Sequence, residues 1–408
     1  MSKIIFLSIV NLVFVVNSAF SEPILNVPNQ IFIQLSDSDK DFQALAQKKK
    51  HQFLNAKVKV NDSEWINATE LATRGQNCLR AYRKCLSIEL EKEIVFNGQV
   101  SKGFVGKKFN LASLWQDQGY ISSHLGYYLG KDVGIFPLQH QYVTVFINNE
   151  LYGLYLLIEK PQTYIKNNFN SPYIAKLWYL SMVKDEKYHA EFTSLAMKTF
   201  RKEFKKLTRL EINSGAHKEL KGEKLYNYLM SKMNFDKYLT MLAFQTLVRN
   251  GDYSDESIYY ANKTNNKDEI YFDFMAWDFD DLFKKPHFGL NNSIFFRGTL
   301  KKQLLYSLEN PIDFTIARDD FLYAKFKNKL FDLLTKTITD DQIVKYVDIV
   351  AQEIAPYLQQ EQILNASIHD KLPTSFGVSK YTAKYIEELL EKRKSDLIQR
   401  RAFLLSEI

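Results

Sequence analysis

Two runs, Tyr142-Val143-Thr144-Val145-Phe146-Ile147 and Leu151-Tyr152-Gly153-Leu154-Tyr155-Leu156-Leu157-Ile158, flank Asn148-Asn149, and no other stretch narrows the possible folds as much. β-Branched and aromatic residues dominate both runs, and Asn tolerates the turn conformations that join antiparallel strands. The pattern predicts a β-hairpin. Lys57 to Val60 and Leu86 to Leu90 read as two further strands. One helix, from about Gln118 to Leu129, interrupts them with Ile121, Leu125, Tyr128 and Leu129 on one face. Residues 22–160 are therefore expected to form a β-rich unit.

The remainder, 161–408, reads as mainly helical. Lys184 to Leu210 is a charged helical stretch, and Phe235, Tyr238, Leu239, Leu242 and Thr246 recur at helical spacing behind Asn234, a capping residue type. That helix must stop at Asn250-Gly251-Asp252. Ser257 to Ala261 and Glu269 to Met275 then read as two strands joined by the polar turn Asn262 to Lys267. Leu322, Phe326, Leu330 and Leu333 mark one later helix, and Ile386, Leu390, Leu397 and Leu404 mark a long last one. The basic residues Arg201, Lys202, Lys205, Lys206 and Arg209 fit either a solvated helix face or a docking face for an acidic surface.

At the start of the chain, Lys3 precedes an apolar run from Ile4 to Val16 and small residues around Ser18, Ala19 and Ser21, the order of a secretory signal. The run is too short to span a bilayer, and no later segment reaches the length of a transmembrane helix. Residues 1–21 are read as a signal peptide, with the mature chain starting at Glu22, exported to the medium, periplasm or cell envelope. Export gives Cys78 and Cys85 a setting that permits a disulfide; a local bridge and two buried thiols are both open readings. Sequons stand at Asn61, Asn67, Asn262, Asn291 (Asn291-Asn292-Ser293) and Asn365 and matter only in a eukaryotic host. The 54 Lys and Arg against 47 Asp and Glu leave a net charge of +7 spread along the chain, with no dense basic arm that demands nucleic acid.

The segment from Asn250 to Phe283 carries the chemistry. Asp252 precedes the first strand of the predicted hairpin and Asp278 follows the second, so an antiparallel pairing brings both carboxylates to one edge. Oxygen ligands gathered this way suit Mg²⁺ or Mn²⁺, which take one or two carboxylates plus substrate phosphates. Trp277-Asp278-Phe279-Asp280-Asp281 is unusually acidic for a segment bracketed by aromatic and apolar residues, and paired acids in such a frame need a cation or a shared proton. A turn cap at Asp252 and a surface acid at Asp278 or Asp280 are the bland alternatives.

Four ordered blocks carry a resemblance: Arg74-Gly75 with Arg83-Lys84 and Leu86 to Leu90; Asn110-Leu111 with the helix through Leu129; Gly153-Leu154-Tyr155-Leu156-Leu157-Ile158-Glu159, a G-x-Y-x-L-x-E hairpin; and Trp277-Asp278-Phe279-Asp280, a W-D-x-D. The chain resembles the CotH family of spore-coat-type secreted kinases over roughly residues 55 to 408. The resemblance implies an α+β, atypical protein-kinase-like two-lobed fold, with a β-rich N-lobe at 22–160 and a mainly helical C-lobe at 161–408. It implies transfer of the γ-phosphate of ATP to Ser or Thr of a protein substrate, with Mg²⁺ or Mn²⁺. From its charge and hydropathy the chain is expected to bind no nucleic acid and to have no integral membrane segment, and a monomer is expected.

In that reading Asp252 is the catalytic residue, orienting the acceptor hydroxyl or taking its proton, and Lys84, Arg83, Arg74 and Glu159 bind nucleotide. Asp278, Asp280 and Ser257 hold metal. Ser257 stands where kinase-like sites of this kind place Asn, Lys284-Lys285 where the family often has Gly, and Gln76-Asn77-Cys78 where small polar residues are usual. No acidic partner for Lys84 is evident on the 118–129 helix beyond the nearby Asp117. These departures keep a second class in view, a catalytically degraded nucleotide-binding or non-catalytic envelope or adhesion module of the same fold.

Overall fold

The structure, a computed structural model, describes residues 25–36, 38–75, 77–98, 100, 103–169, 174–178, 182–184, 202–204, 206–207, 220–252, 257–263, 270–284, 304–306, 311–367 and 381–408. The signal sequence, Glu22, Gln76, Arg201, Lys205, Arg209, Glu256, Lys285, Pro286, Asn291 and most of the 262–267 turn lie outside the described residues.

Seven strands close into a barrel: β1 (Gln30–Gln34), β2 (Lys57–Val60), β3 (Ile66–Arg74), β4 (Cys85–Phe96), β5 (Phe104–Ala112), β6 (His140–Ile147) and β7 (Glu150–Glu159). The order is β1-β2-β3-β4-β5-β7-β6, every pairing antiparallel except the closure, where β1 runs parallel to β6 with Gln30 opposite Thr144 and Ile33 opposite Ile147. A smaller sheet has the order β11-β10-β8-β9, from β8 (Ile174–Trp178), β9 (Met182–Lys184), β10 (Ser257–Lys263) and β11 (Ile270–Ala276). The helices are α1 (Ser38–Ala46), α2 (Ser122–Asp132), α3 (Pro161–Phe169), α4 (Gly222–Lys232), α5 (Phe235–Val248), α6 (Pro311–Arg318), α7 (Asp320–Asp332), α8 (Asp340–Leu358), α9 (Glu361–Ala366) and α10 (Ala383–Glu407).

Side-chain alternation explains the barrel. Ile31 and Ile33, Val143, Val145 and Ile147, and Tyr155 and Leu157 point to the barrel core with Leu71, Leu86, Ile88, Phe109 and Leu111. Their neighbours Phe32, Tyr142, Phe146, Leu154, Leu156 and Ile158 belong instead to the core shared with the helices. The hairpin β6–β7 is thus buried on both faces, and each fully buried Leu, Val or Phe there stabilises by roughly 1.5–3 kcal/mol.

This architecture corrects the two-lobed protein-kinase-like fold expected from the resemblance. The α+β class stands, but the β-rich half is a closed barrel, and a continuous apolar core joins its outer face to the helices. The sequence pattern missed β1, β3 and β5, and closure depends on β1, whose parallel partner β6 lies more than a hundred residues away. Full closure removes the exposed edges that an open sheet presents.

Helix α5 begins as expected, with Asn234 Oδ1 accepting from Lys237 N at 3.3 Å, and ends at Arg249 in the left-handed region. The helix expected from Gln118 is broken: Gly119 at φ 69° separates a short turn, Gln118–Tyr120, from α2. A Cβ at Gly119 would lie 2.7 Å from Leu389 of α10, so glycine lets the closing helix pack against this turn.

Candidate active site

The loop after β11 is anchored by its aromatic residues. Phe279 is fully buried among Tyr127, Phe136 and Phe244, so close to α2 that a Cβ on Gly126 would lie 2.8 Å from it. Trp277 is buried as well, while Asp278 and Asp280, which alternate with these two rings, are half-buried. Asp278 takes φ 49°, a left-handed conformation that Asp tolerates better than most residues.

The Asn250–Asp252 turn lies against this loop. Asn250, fully buried, donates from Nδ2 to the Asp278 carbonyl at 3.1 Å and accepts at Oδ1 from the Asp252 N–H at 3.4 Å. Gly251 N donates to Asp281 O at 3.0 Å, and Phe283 N to Val248 O at 3.1 Å. The hairpin register, Ser257 opposite Ala276, brings the two segments to the same end of the β10–β11 pair.

The acids feel one another. Burial, the charges of Asp278 and Asp281 and, more weakly, Asp117 push the Asp280 carboxyl well above the usual carboxylate range, against the Lys284 ammonium. Lys284 pairs with Asp281. Asp117 is buried and accepts from the backbone N–H groups of Ser122 and Ser123 at 2.8 and 2.7 Å, capping α2; burial raises its pKa. Among the described residues no group of three His, Cys, Asp or Glu side chains stands ready to hold a metal. An all-oxygen set of one or two carboxylates nevertheless fits a hard divalent cation that takes its remaining ligands from phosphate and water.

The barrel presents one end to this loop. Arg74 closes β3 and its guanidinium lies 5.7 Å from the Trp277 ring centre. Glu159 and Lys160 end β7 nearby: Glu159 is half-buried, accepts from Gln139 N at 3.3 Å and has its pKa raised by burial. The Lys160 side chain is 5% exposed, with Nζ 3.7 Å from Glu70 Oε1, and burial lowers its pKa against the charges of Glu70 and Glu89, with Arg74 adding to the lowering.

Arg83 and Lys84 have other engagements. Arg83 is buried, donates to the carbonyls of Leu154 at 2.6 Å and Ser113 at 2.7 Å, and lies over Tyr155. Lys84 Nζ donates to the carbonyls of Leu79 at 2.8 Å and Ala81 at 2.6 Å, tying the turn Cys78–Arg80. Cys78 and Cys85 are bridged across this turn, which settles the question the spacing left open. Ser257 is buried in β10 with Oγ 3.7 Å from Met241 Sδ. Thus the segments carrying Asp252 and Asp278 are joined through Asn250, the charge of Asp278 reaches Asp280, and Arg74 lies over the neighbouring Trp277 ring, whereas Arg83 bonds Leu154 and Ser113, Lys84 bonds Leu79 and Ala81, and Ser257 Oγ lies near Met241, all outside the loop.

Sequence reasoning missed Asn250 as the bridge, Lys160 and Glu70 as an ion pair, and Asp117 as a charge near the loop. The position of Lys160 directly after Glu159 was the one local signal available.

A family model described as CotH kinase protein matches residues 71–397, most of the chain. No curated protein matches. No described helix is long and apolar enough to cross a membrane.

Proposed function

Because the chain belongs to the CotH kinase family, we propose that it is an ATP-dependent kinase that phosphorylates Ser or Thr of a protein substrate. The observation that carries this reading is the Asn250 bridge, which joins the Asp252 turn to the Asp278 loop, with Arg74 of the barrel over the Trp277 ring next to Asp278. Phosphoryl transfer asks chiefly for positioning and charge neutralisation, and this arrangement supplies both.

In this mechanism Asp252 orients the acceptor hydroxyl and takes its proton as the acceptor oxygen bonds to the γ-phosphorus. The bond from the γ-phosphorus to the β–γ bridging oxygen breaks, and ADP leaves with that electron pair. Asp278 and Asp280 would hold Mg²⁺ or Mn²⁺, which would supply neutralisation of phosphate charge. Lys160, kept in place by Glu70, and Arg74 contact phosphate oxygens, and Glu159 lies beside the nucleotide. Lys84 and Arg83 act from behind, keeping the disulfide-closed turn and the β4–β5 region in place around Arg74. The chain acts as an exported monomer after removal of residues 1–21; mass spectrometry of the secreted protein should find Glu22 at its N-terminus.

A second reading, a nucleotide-binding or adhesion module without transfer activity, draws on Ser257, whose hydroxyl lies on the Met241 sulfur. The deciding experiment is autophosphorylation and protein labelling by residues 22–408 with γ-labelled ATP, with Mg²⁺ and Mn²⁺ in parallel and Asp278→Ala as control. Label on the wild type alone supports transfer. No label combined with a thermal shift by ATP and metal supports the second reading, and α-label in place of γ-label would make the reaction adenylyl transfer.

A further inference from the structure

The closing helix α10 reaches the acidic loop through one side chain. Arg393 is almost fully buried, and its guanidinium carbon lies 4.4 Å from the centre of the Phe283 ring, the residue that ends the loop in the left-handed region at φ 65°. Its Nη2 donates to Gln118 Oε1 at 3.0 Å, and Gln118 Nε2 donates in turn to Tyr385 OH at 2.8 Å. Nη1 pairs with Asp396 at 3.5 Å, and burial lowers the Arg393 pKa against the opposing charges of Asp396 and Asp117. Arg393 thus touches three separate pieces of the site's frame: the end of the acidic loop, the Gln118 turn next to Asp117, and its own helix. Its Nε is buried without a hydrogen-bond partner among the described residues, a cost that ordinary packing of a helix would not need.

The geometry points to Arg393 as a positioning residue for the Asp278–Asp281 loop, acting through Phe283 and the Gln118 turn. The guanidinium lies over the ring while its Nη2 bonds the Gln118 amide, a combination that a flexible ammonium does not reproduce. Phe283 N is bonded to Val248 O and Gly251 N to Asp281 O, so this contact bears on the hydrogen bonds that join the loop to the Asn250–Asp252 turn. The consequence for metal binding rests on the function proposed above; the positioning role itself does not.

The test compares amide hydrogen exchange in the wild type, Arg393→Met, Arg393→Lys and Arg401→Met. Arg401 serves as control because it lies on the same helix but bonds Leu334 O at 2.8 Å and Asp340 at 3.0 Å, away from the loop. Arg393→Met should speed exchange at Gly251 and Phe283 by about tenfold while leaving β6 and β7 unchanged, with Arg393→Lys between it and the wild type and Arg401→Met without this local effect. Mn²⁺ affinity should weaken in the same order. Unchanged exchange at Gly251 and Phe283 in Arg393→Met, or equal acceleration in Arg401→Met, overturns the assignment. If Arg393→Met does not fold, Arg393→Lys against Arg401→Met decides in the same way. A wild type that binds no Mn²⁺ would count against the metal reading alone, and the exchange data would still decide the role of Arg393.

Discussion

The side-chain amide of Asn250 donates to the backbone carbonyl of Asp278 at 3.1 Å, so the turn that carries Asp252 and the loop that carries Asp278 are joined by one buried group. Asn250→Ala removes that donor and the acceptor for Asp252 N–H together. We expect a loss of about 1–3 kcal/mol in denaturant unfolding, the usual cost of leaving buried partners unmade. Phosphoryl transfer should fall on the order of 100-fold, because a small misplacement of reacting groups is enough for that. Full transfer activity in a folded Asn250→Ala protein would remove the bridge from the mechanism.

Lys160 and Lys84 should separate cleanly. Lys160→Met should shrink the thermal shift produced by ATP and Mg²⁺, raising the half-saturating ATP by about tenfold or more, the range for loss of a charged contact. Lys84→Met leaves the carbonyls of Leu79 and Ala81 without their donor and should cost about 1–3 kcal/mol of stability while the nucleotide shift persists. The opposite pattern, nucleotide binding lost with Lys84 and kept without Lys160, would return the phosphate-binding role to Lys84.

Asp280 predicts a pH dependence of stability with a definite sign. Burial and its acidic neighbours raise its folded pKa above the ordinary value of 3.8, so between those two values the folded chain binds more protons than the unfolded one. Stability contributed by this group is then present at low pH and is lost as pH rises from 3.8 through the folded pKa. In metal-free buffer Asp280→Asn should flatten this part of the profile and stabilise the protein at neutral pH. Urea midpoints across the acid-to-neutral range measure it; a steeper profile in the variant would contradict the assignment.

The Cys78–Cys85 bridge closes a short loop, and its removal should cost about 2.5 kcal/mol on the loop-closure account. Because this turn follows Arg74, Cys78→Ser with Cys85→Ser should also weaken ATP binding more than Asp252→Ala does. Thermal melts with and without ATP give both quantities, and an unchanged melting temperature after complete reduction would show that the bridge contributes nothing.

The placement of the two acidic segments was legible because its signals are local. Asp252 and Asp278 flank a hairpin read from two aromatic-rich runs and a polar turn, and pairing alone brings their ends together. The helix starting at Asn234 and its stop at Asn250 were legible for the same reason: cap and left-handed residue lie within one turn of the pattern they end. Lys160, Glu70 and Arg393 were not, because each acquires its role from a partner in another element, and a lone Lys, Glu or Arg in a sequence reads as solvated surface.

By itself, then, the sequence determined the family, the α+β class, the β6–β7 hairpin and the acidic pair, since these follow from residue type at short spacing. Barrel closure, the bridging of Cys78 to Cys85, the engagement of Lys84 with backbone carbonyls and the reach of Arg393 into the loop were decided only in three dimensions. Each depends on strands or side chains brought together by burial of the shared core, and periodicity along a chain carries no record of which distant element will stand opposite.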